Sequence, residues 1–184
     1  MSKILFLDLE TTGFSREWDY IIEIAALLYD TEKRKVINQF HEYIRPGKRI
    51  PQKITEITGI TEFMVRESRT EREVLADFFE WISDVNPEIL AAYNAPFDRS
   101  FLETKKTKYQ LFAEEKPWED MMKYGRQLKK EGKTENYKQT TVAEYLNIEY
   151  QAHSAIEDVR ALIRIYEKLG LNKSTAAIRK ELGF

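Results

Sequence analysis

The sequence predicts an α/β domain built on a mixed sheet, and three observations carry that expectation. Three apolar runs follow one another near the N-terminus with turn residues between them. The period of the apolar pattern then changes from strand-like to helical near residue 70. Beyond that point a short apolar strand is set among helical stretches.

Residues 3–9 read as a short buried strand. Tyr20 to Tyr29 is a longer apolar run broken by Glu23, which suits a central strand. Asp30-Thr31-Glu32-Lys33-Arg34 reads as a turn, and Val36 to Ile44 as a third strand paired back on the second. Three such strands in succession imply an antiparallel meander. Thr70 to Val85 then places Val74, Leu75, Phe78, Phe79 and Ile82 at helical spacing, and Thr70 with Glu73 forms a capping box at its start. Glu88 to Tyr93 is a short strand. Phe97 to Thr107 is helical, with Pro96 in its first turn. Trp118 to Lys130 and Thr141 to Leu146 also read as helices. Ser154 to Leu169 is the clearest helix. Its buried stripe is Ile156, Val159, Leu162, Ile163 and Tyr166, and Ser154 with Glu157 suggests a second capping box. Ser174 to Leu182 reads as one more short helix.

The chain has 184 residues, 42% of them hydrophobic and 12% aromatic, which suits one globular domain. Residues 1–170 are expected to form it, with 171–184 as its C-terminal helical tail. There is no cysteine, so disulfides, thiolate zinc sites and cysteine nucleophiles are excluded. The run Lys3-Ile4-Leu5-Phe6-Leu7 ends at Asp8. It is too short for a signal peptide or a membrane span, so a cytoplasmic protein without a membrane partner is expected. The net charge of −2 argues mildly against a nucleic-acid partner. That argument weakens if acidic residues gather at a metal site, where the ions supply positive charge to phosphate.

Catalytic residues of such sheets collect near strand ends and helix starts. Asp8 and Glu10 end the first strand, in Asp8-Leu9-Glu10-Thr11-Thr12-Gly13. Two apart on a strand, they face the same way and repel unless a cation lies between them. Oxygen ligands of this kind select Mg²⁺ or Mn²⁺. Asp98 follows the strand Ile89–Tyr93, in Asn94-Ala95-Pro96-Phe97-Asp98, within the first turn of a helix. Alone it reads as a helix-dipole partner. His153 and Asp158 lie in His153-Ser154-Ala155-Ile156-Glu157-Asp158. His153 stands just outside the last helix. Asp158, beside a buried stripe, needs a partner, which either a metal or an arginine would supply. The other histidine, His41, lies mid-strand and reads as structural.

In chain order these motifs are Asp-x-Glu with Thr-Thr-Gly, Asn-x-x-Phe-Asp, and His-x-x-x-x-Asp. Together they resemble the DEDDh exonucleases, the DnaQ-like family, whose members include polymerase proofreading subunits, RNase T and oligoribonuclease. Ile50-Pro51 through Ile57-Thr58-Gly59-Ile60-Thr61 is similar to the family segment between the first two motifs, and the likeness runs from residue 3 to about 169. The resemblance implies a ribonuclease-H-like mixed five-stranded sheet flanked by helices. It implies metal-binding carboxylates at Asp8, Glu10, Asp98 and Asp158 and a general base at His153. The activity implied is 3′→5′ removal of 5′-mononucleotides from single-stranded DNA or RNA ends, DNA slightly favoured. Departures bear on substrate preference: Tyr93 precedes Asn94 where many members have His, Thr58 stands where the proofreading subunits have His, and Asp120-Met121 stands where relatives often have Asp-Thr.

In this scheme two cations about 3.5–4 Å apart bind a phosphate oxygen, activate a water and stabilise the leaving 3′-oxygen. Asp8 would serve both ions, with Glu10 and Asp158 completing one shell and Asp98 supporting the other. Substrate contacts are expected from Thr11, Thr12, Gly13, Phe14, Thr58, Asn94 and Phe97. Gly13 would permit close approach to the terminal sugar, and Phe14 would either wedge or stack against the last base or anchor in the core. Two basic stretches are candidates to track phosphates, although charged runs are more often solvated helix faces: Lys105, Lys106 and Lys108, then Lys123, Arg126, Lys129, Lys130 and Lys133. The competing readings are a non-catalytic binding module that keeps the fold without the chemistry, an accessory or interaction module of a polymerase or repair assembly, and a ribonuclease-H-like endonuclease.

Overall fold

A computed structural model describes residues 3–171. The strands are β1 (Lys3–Thr11), β2 (Ile21–Asp30), β3 (Lys35–Tyr43), β4 (Ile89–Ala92) and β5 (Trp118–Asp120). The helices are α1 (Gln52–Thr58), α2 (Glu62–Val65), α3 (Glu71–Val85), α4 (Ala95–Lys108), α5 (Met122–Lys130), α6 (Gln139–Tyr145) and α7 (Ala155–Lys168). The five strands form one sheet in the order β3-β2-β1-β4-β5. The expected meander is present, since β1 pairs antiparallel with β2 and β2 with β3. β1 and β4 run parallel, as do β4 and β5, which makes the sheet mixed and five-stranded.

Alternation along β1 decides what faces what. Leu5, Leu7 and Leu9 join a core with Val74, Leu75, Phe78 and Ile82 of α3 and Phe101 and Leu102 of α4. Ile4 and Phe6 point the other way, into a second core with Val159, Leu162, Ile163 and Tyr166 of α7. Asp8 and Glu10 share the parity of Ile4 and Phe6, so they emerge on the α7 side, at the end of the strand where the apolar residues stop. β2 is buried along its whole length, as a strand covered on both faces must be.

Two expectations are corrected. Trp118 to Lys130 is not one helix: Trp118–Asp120 is a strand, and α5 begins at Met122. Leu90, Ala91 and Ala92 pair in parallel with Trp118, Glu119 and Asp120, and this tertiary pairing overrides the local helical spacing. The second capping box is also absent. Ser154 makes no side-chain cap, and Glu157 instead forms an ion pair with Arg160, 2.5 Å away. The first box stands: Glu73 accepts the Thr70 amide at 2.8 Å and its hydroxyl at 2.6 Å. Residues 174–182, read as a short helix, lie outside the described residues.

Candidate active site

The parallel pairing of β1 with β4 brings the C-terminal ends of both strands to one edge of the sheet. Asp8 and Glu10 end β1, and β4 leads through Tyr93 and Asn94 into α4, whose first turn carries Asp98. The register of β1 against β2 shifts between Glu10 and Thr11, an irregularity that turns the chain away from the sheet just past the carboxylates. α7 crosses the same face and delivers Asp158.

Carboxylate oxygens of Asp8, Glu10 and Asp158 all lie within 4.8 Å of one another. Asp98 is buried beside them, 3% exposed, and its Oδ1 finds no hydrogen-bond partner among the described residues. Crowding of this kind raises affinity for protons or cations. Burial, then the charges of Asp98, Asp158, Glu10 and Glu23, hold the Asp8 carboxyl well above its ordinary range. Burial followed by Asp158, Glu23 and Asp98 pushes Glu10 up to about 8. Burial also pushes Asp98 to about 8, against backbone hydrogen bonds from its own amide and Leu9. Asp158 is raised by burial, partly countered by the His153 amide, which donates to its Oδ2 at 2.8 Å. The donors are oxygens only, which fits a hard divalent cation, and an orphaned buried carboxylate oxygen is what such an ion would satisfy.

His153 is exposed at the rim, on an irregular segment, with a left-handed φ of 69°. Its backbone is tied to Asp158, which leaves the ring free to face solvent. The hairpin loop between β1 and β2 is internally braced. Thr12 Oγ1 donates to Asp19 at 2.9 Å and accepts the Tyr20 amide at 3.0 Å, and the Ser15 amide donates to Asp19 at 2.9 Å. Lys48 closes an ion pair on the same carboxylate. A side chain at Gly13 would meet the Asp19 carboxylate at 2.5 Å, so the glycine has a reason inside the loop itself. Thr11 spends its hydroxyl on the Gly13 carbonyl at 2.6 Å. Phe14 is 89% exposed and meets Phe97 of α4 edge-on, with ring centroids 6.4 Å apart. Asn94 is exposed at the start of α4. Thr58 ends α1, its hydroxyl donating to the Ile54 carbonyl at 3.0 Å and accepting the Ile60 amide at 3.1 Å.

One basic candidate is corrected. Lys105 is fully buried: its ammonium bonds the Asp19 carbonyl and lies 3.8 Å from Glu71. The hairpin carbonyl and Glu71 hold it inside, so it does not present charge to a phosphate chain. Sequence reasoning missed three residues. Glu23 is buried, its Oε1 2.7 Å from His41 Nε2 and its Oε2 accepting the Ala155 amide at 3.1 Å. Tyr150 turns its buried hydroxyl toward Asp158, and burial, then that charge, raises its pKa. Asp120 was noticed only as a departure, and its Oδ1 accepts the Ala95 and Met122 amides at 3.4 and 3.3 Å, joining β5 to the start of α4. The one available signal was Glu23 itself, a lone charge in an apolar strand.

Residues 5–166 match the model of the RNase_T exonuclease family. The PolC-type DNA polymerase III of Caldanaerobacter subterraneus subsp. tengcongensis is 34% identical over 168 residues, covering 91% of this chain and 11% of that protein. That of Bacillus subtilis is 35% identical over 164 residues, covering 88% and 11%. The chain thus spans about a tenth of the length of these relatives. Among solved structures, the nuclease domain of 3′hExo, described as a DEDDh family member bound to rAMP, matches with a TM-score of 0.77 at 22% identity, covering 94% of each chain. Escherichia coli exonuclease I in complex with a dA13 oligonucleotide matches with a TM-score of 0.78 at 20% identity, covering 93% of this chain and 41% of that one. These two are likenesses of fold. With the motif order and the family match together, the chain belongs to the RNase_T exonucleases, of the DEDDh, DnaQ-like type.

Proposed function

We propose that this chain hydrolyses single-stranded nucleic acid from its 3′ end and releases 5′-mononucleotides. The observation that carries this reading is the convergence of the Asp8, Glu10 and Asp158 oxygens within 4.8 Å, with the buried Asp98 beside them. Asp8, Glu10, Asp98 and Asp158 would hold two divalent cations, Mg²⁺ or Mn²⁺, whose Lewis acidity neutralises the phosphate, lowers the pKa of a water and stabilises the leaving oxygen. His153 accepts the proton of the attacking water. An imidazole nitrogen carries the lone pair that such a transfer needs. The tie from its amide to Asp158 keeps it at the rim of the carboxylate cluster. Phe14 and Phe97 flank the entrance and stack on or wedge against the last base. Thr11, Thr12 and Gly13 shape the loop under the terminal sugar, and Asn94 and Thr58 complete the contacts.

DNA is favoured over RNA because the relatives that share a third of its residues are named DNA polymerases. Residues 1–170 act as the exonuclease domain, with 171–184 as its tail. Among the described residues no helix is long and apolar enough to cross a membrane, and the relatives' replicative names support a place in the cytoplasm.

Matched DNA and RNA oligonucleotides, blocked at one end or the other, test this reading. A 3′ block should protect the strand and a 5′ block should not, with a ladder that shortens stepwise from the 3′ end. Protection by the 5′ block alone would refute the site assignment. Equal rates on both polymers would remove the preference for DNA. A second reading, an accessory module of a polymerase assembly, is supported by the same relatives, in which such a segment is a small part of a polymerase. Stable co-purification with a polymerase from a chain inactive on free ends would favour it.

A further inference from the structure

We propose that Glu23, backed by His41, is a positioning residue that sets the start of α7 and through it the places of His153 and Asp158. The inference rests on the nuclease reading above and adds a residue to it.

Glu23 interrupts a strand that is otherwise apolar from Ile21 to Tyr29, and its side chain is fully buried. A carboxylate costs stability in such a place unless its oxygens are bonded. Both are. Oε1 lies 2.7 Å from His41 Nε2 on the neighbouring edge strand, and Oε2 accepts the Ala155 amide at 3.1 Å. Ala155 is the first residue of α7, so its amide is one of the donors that a helix start leaves unpaired. Ser154, the residue placed to cap it, makes no side-chain cap. The cap comes instead from a strand 132 residues away in sequence. A negative cap also suits the positive end of the helix dipole.

What hangs on this contact is the chemistry. His153 stands two residues before Ala155 in a left-handed conformation, and its amide holds Asp158 at 2.8 Å. The Asp158 amide in turn donates to the Ser154 carbonyl at 2.9 Å. Residues 153–158 therefore move as one turn, and Glu23 is the side chain that pins that turn to the sheet. Glu23 also lies opposite Glu10 in the β1–β2 register, so it joins the strand bearing one half of the carboxylate cluster to the helix bearing the other. Its two oxygens are occupied, which distinguishes it from Asp98, whose Oδ1 is free of partners among the described residues.

The test uses the full chain and three substitutions. In metal-free protein, amide hydrogen exchange at Ala155 should be slow in the wild type and in Glu23→Gln, whose carbonyl can accept the same bond. In Glu23→Ala it should be at least about tenfold faster, with β1 amides unchanged. With substrate and Mg²⁺, Glu23→Ala should lower kcat by about 10–100-fold and leave KM within about twofold, while Glu23→Gln recovers most of the rate. Glu23→Ala combined with His153→Ala should lose less than the product of the two single losses, because part of the Glu23 effect runs through His153. If Glu23→Ala does not fold, His41→Ala, on the exposed edge strand, carries the same exchange measurement and the same combination. Unchanged exchange at Ala155 in Glu23→Ala, or fully additive losses in the double variant, would each overturn the proposal. A His153→Ala enzyme with wild-type turnover would instead sink the nuclease mechanism, and the exchange result would still judge the role of Glu23 at the helix start.

Discussion

Asp8 and His153 separate two jobs. Asp8 lies at the centre of the repulsion, surrounded by Asp98, Asp158, Glu10 and Glu23. Replacing it by Asn keeps the shape and removes one charge. Asp8→Asn should therefore lose at least about a hundredfold in rate, about 2.7 kcal/mol of transition-state stabilisation. The same change should raise the thermal midpoint of the metal-free protein, because a crowded buried charge is gone. A scan by differential calorimetry checks the second half, and a lower midpoint would show that Asp8 is stabilised by contacts rather than strained by them. His153 is exposed and outside the cluster, so His153→Ala should leave Mn²⁺ and oligonucleotide affinity near wild type while turnover falls about 10²–10⁴-fold. Titration calorimetry beside single-turnover kinetics tells these apart; lost metal binding would make the histidine a ligand. The places of the motif residues in the fold were legible in the sequence because local elements deliver them: a strand parity for Asp8 and Glu10, helix starts for Asp98 and Asp158, and the segment just before α7 for His153. Glu23 was not, because its partners His41 and Ala155 are 18 and 132 residues away, and only the register of the sheet brings them near.

The hairpin loop between β1 and β2 is the element most directly built for presentation. Asp19 gathers Thr12, the Ser15 amide and Lys48, and the buried Lys105 holds the Asp19 carbonyl from α4. This bracing leaves Phe14 standing in solvent at 89% exposure. An exposed ring adds little to folding, and a stacking ring adds about 1–3 kcal/mol per base. Phe14→Ala should accordingly raise KM for a single strand about tenfold, with kcat and the thermal midpoint little changed. A fallen midpoint with unchanged KM would make Phe14 a structural anchor. The elements themselves were mostly legible. β2 was read from its apolar run and α7 from its stripe. β5 was not, because three residues are too few to show a period of two, and their strand character comes from pairing with β4. The Ser154 capping box failed for a related reason, since Glu157 had a nearer partner in Arg160 and Glu23 had already taken the helix start.

At the scale of the whole molecule, the fold gathers acidic groups where it would be more stable without their charge. Glu10 moves from an ordinary 4.5 to about 8, and Asp98 from 3.8 to about 8. In the unfolded chain both ionise near their ordinary values. Between about pH 4.5 and pH 8 the folded state therefore holds protons that the unfolded state has released, and stability falls as pH rises through that window. Asp19 and Glu73 are shifted downward and titrate below it, so they do not confuse the trend. Metal-free protein should lose thermal midpoint from about pH 5 to about pH 8, and Mg²⁺ should cancel most of that loss by taking the place of the protons. A flat metal-free profile would contradict the crowding.

The measurement that bears most directly on the central claim, that these carboxylates form a divalent-cation hydrolytic site, is the rate of nucleotide release from a 5′-labelled single strand by metal-stripped protein. Release should be absent in EDTA, appear on addition of Mg²⁺ or Mn²⁺, and fall at least about a hundredfold in Asp8→Asn under the same conditions. Full activity in EDTA, or a near-normal Asp8→Asn enzyme, would contradict it.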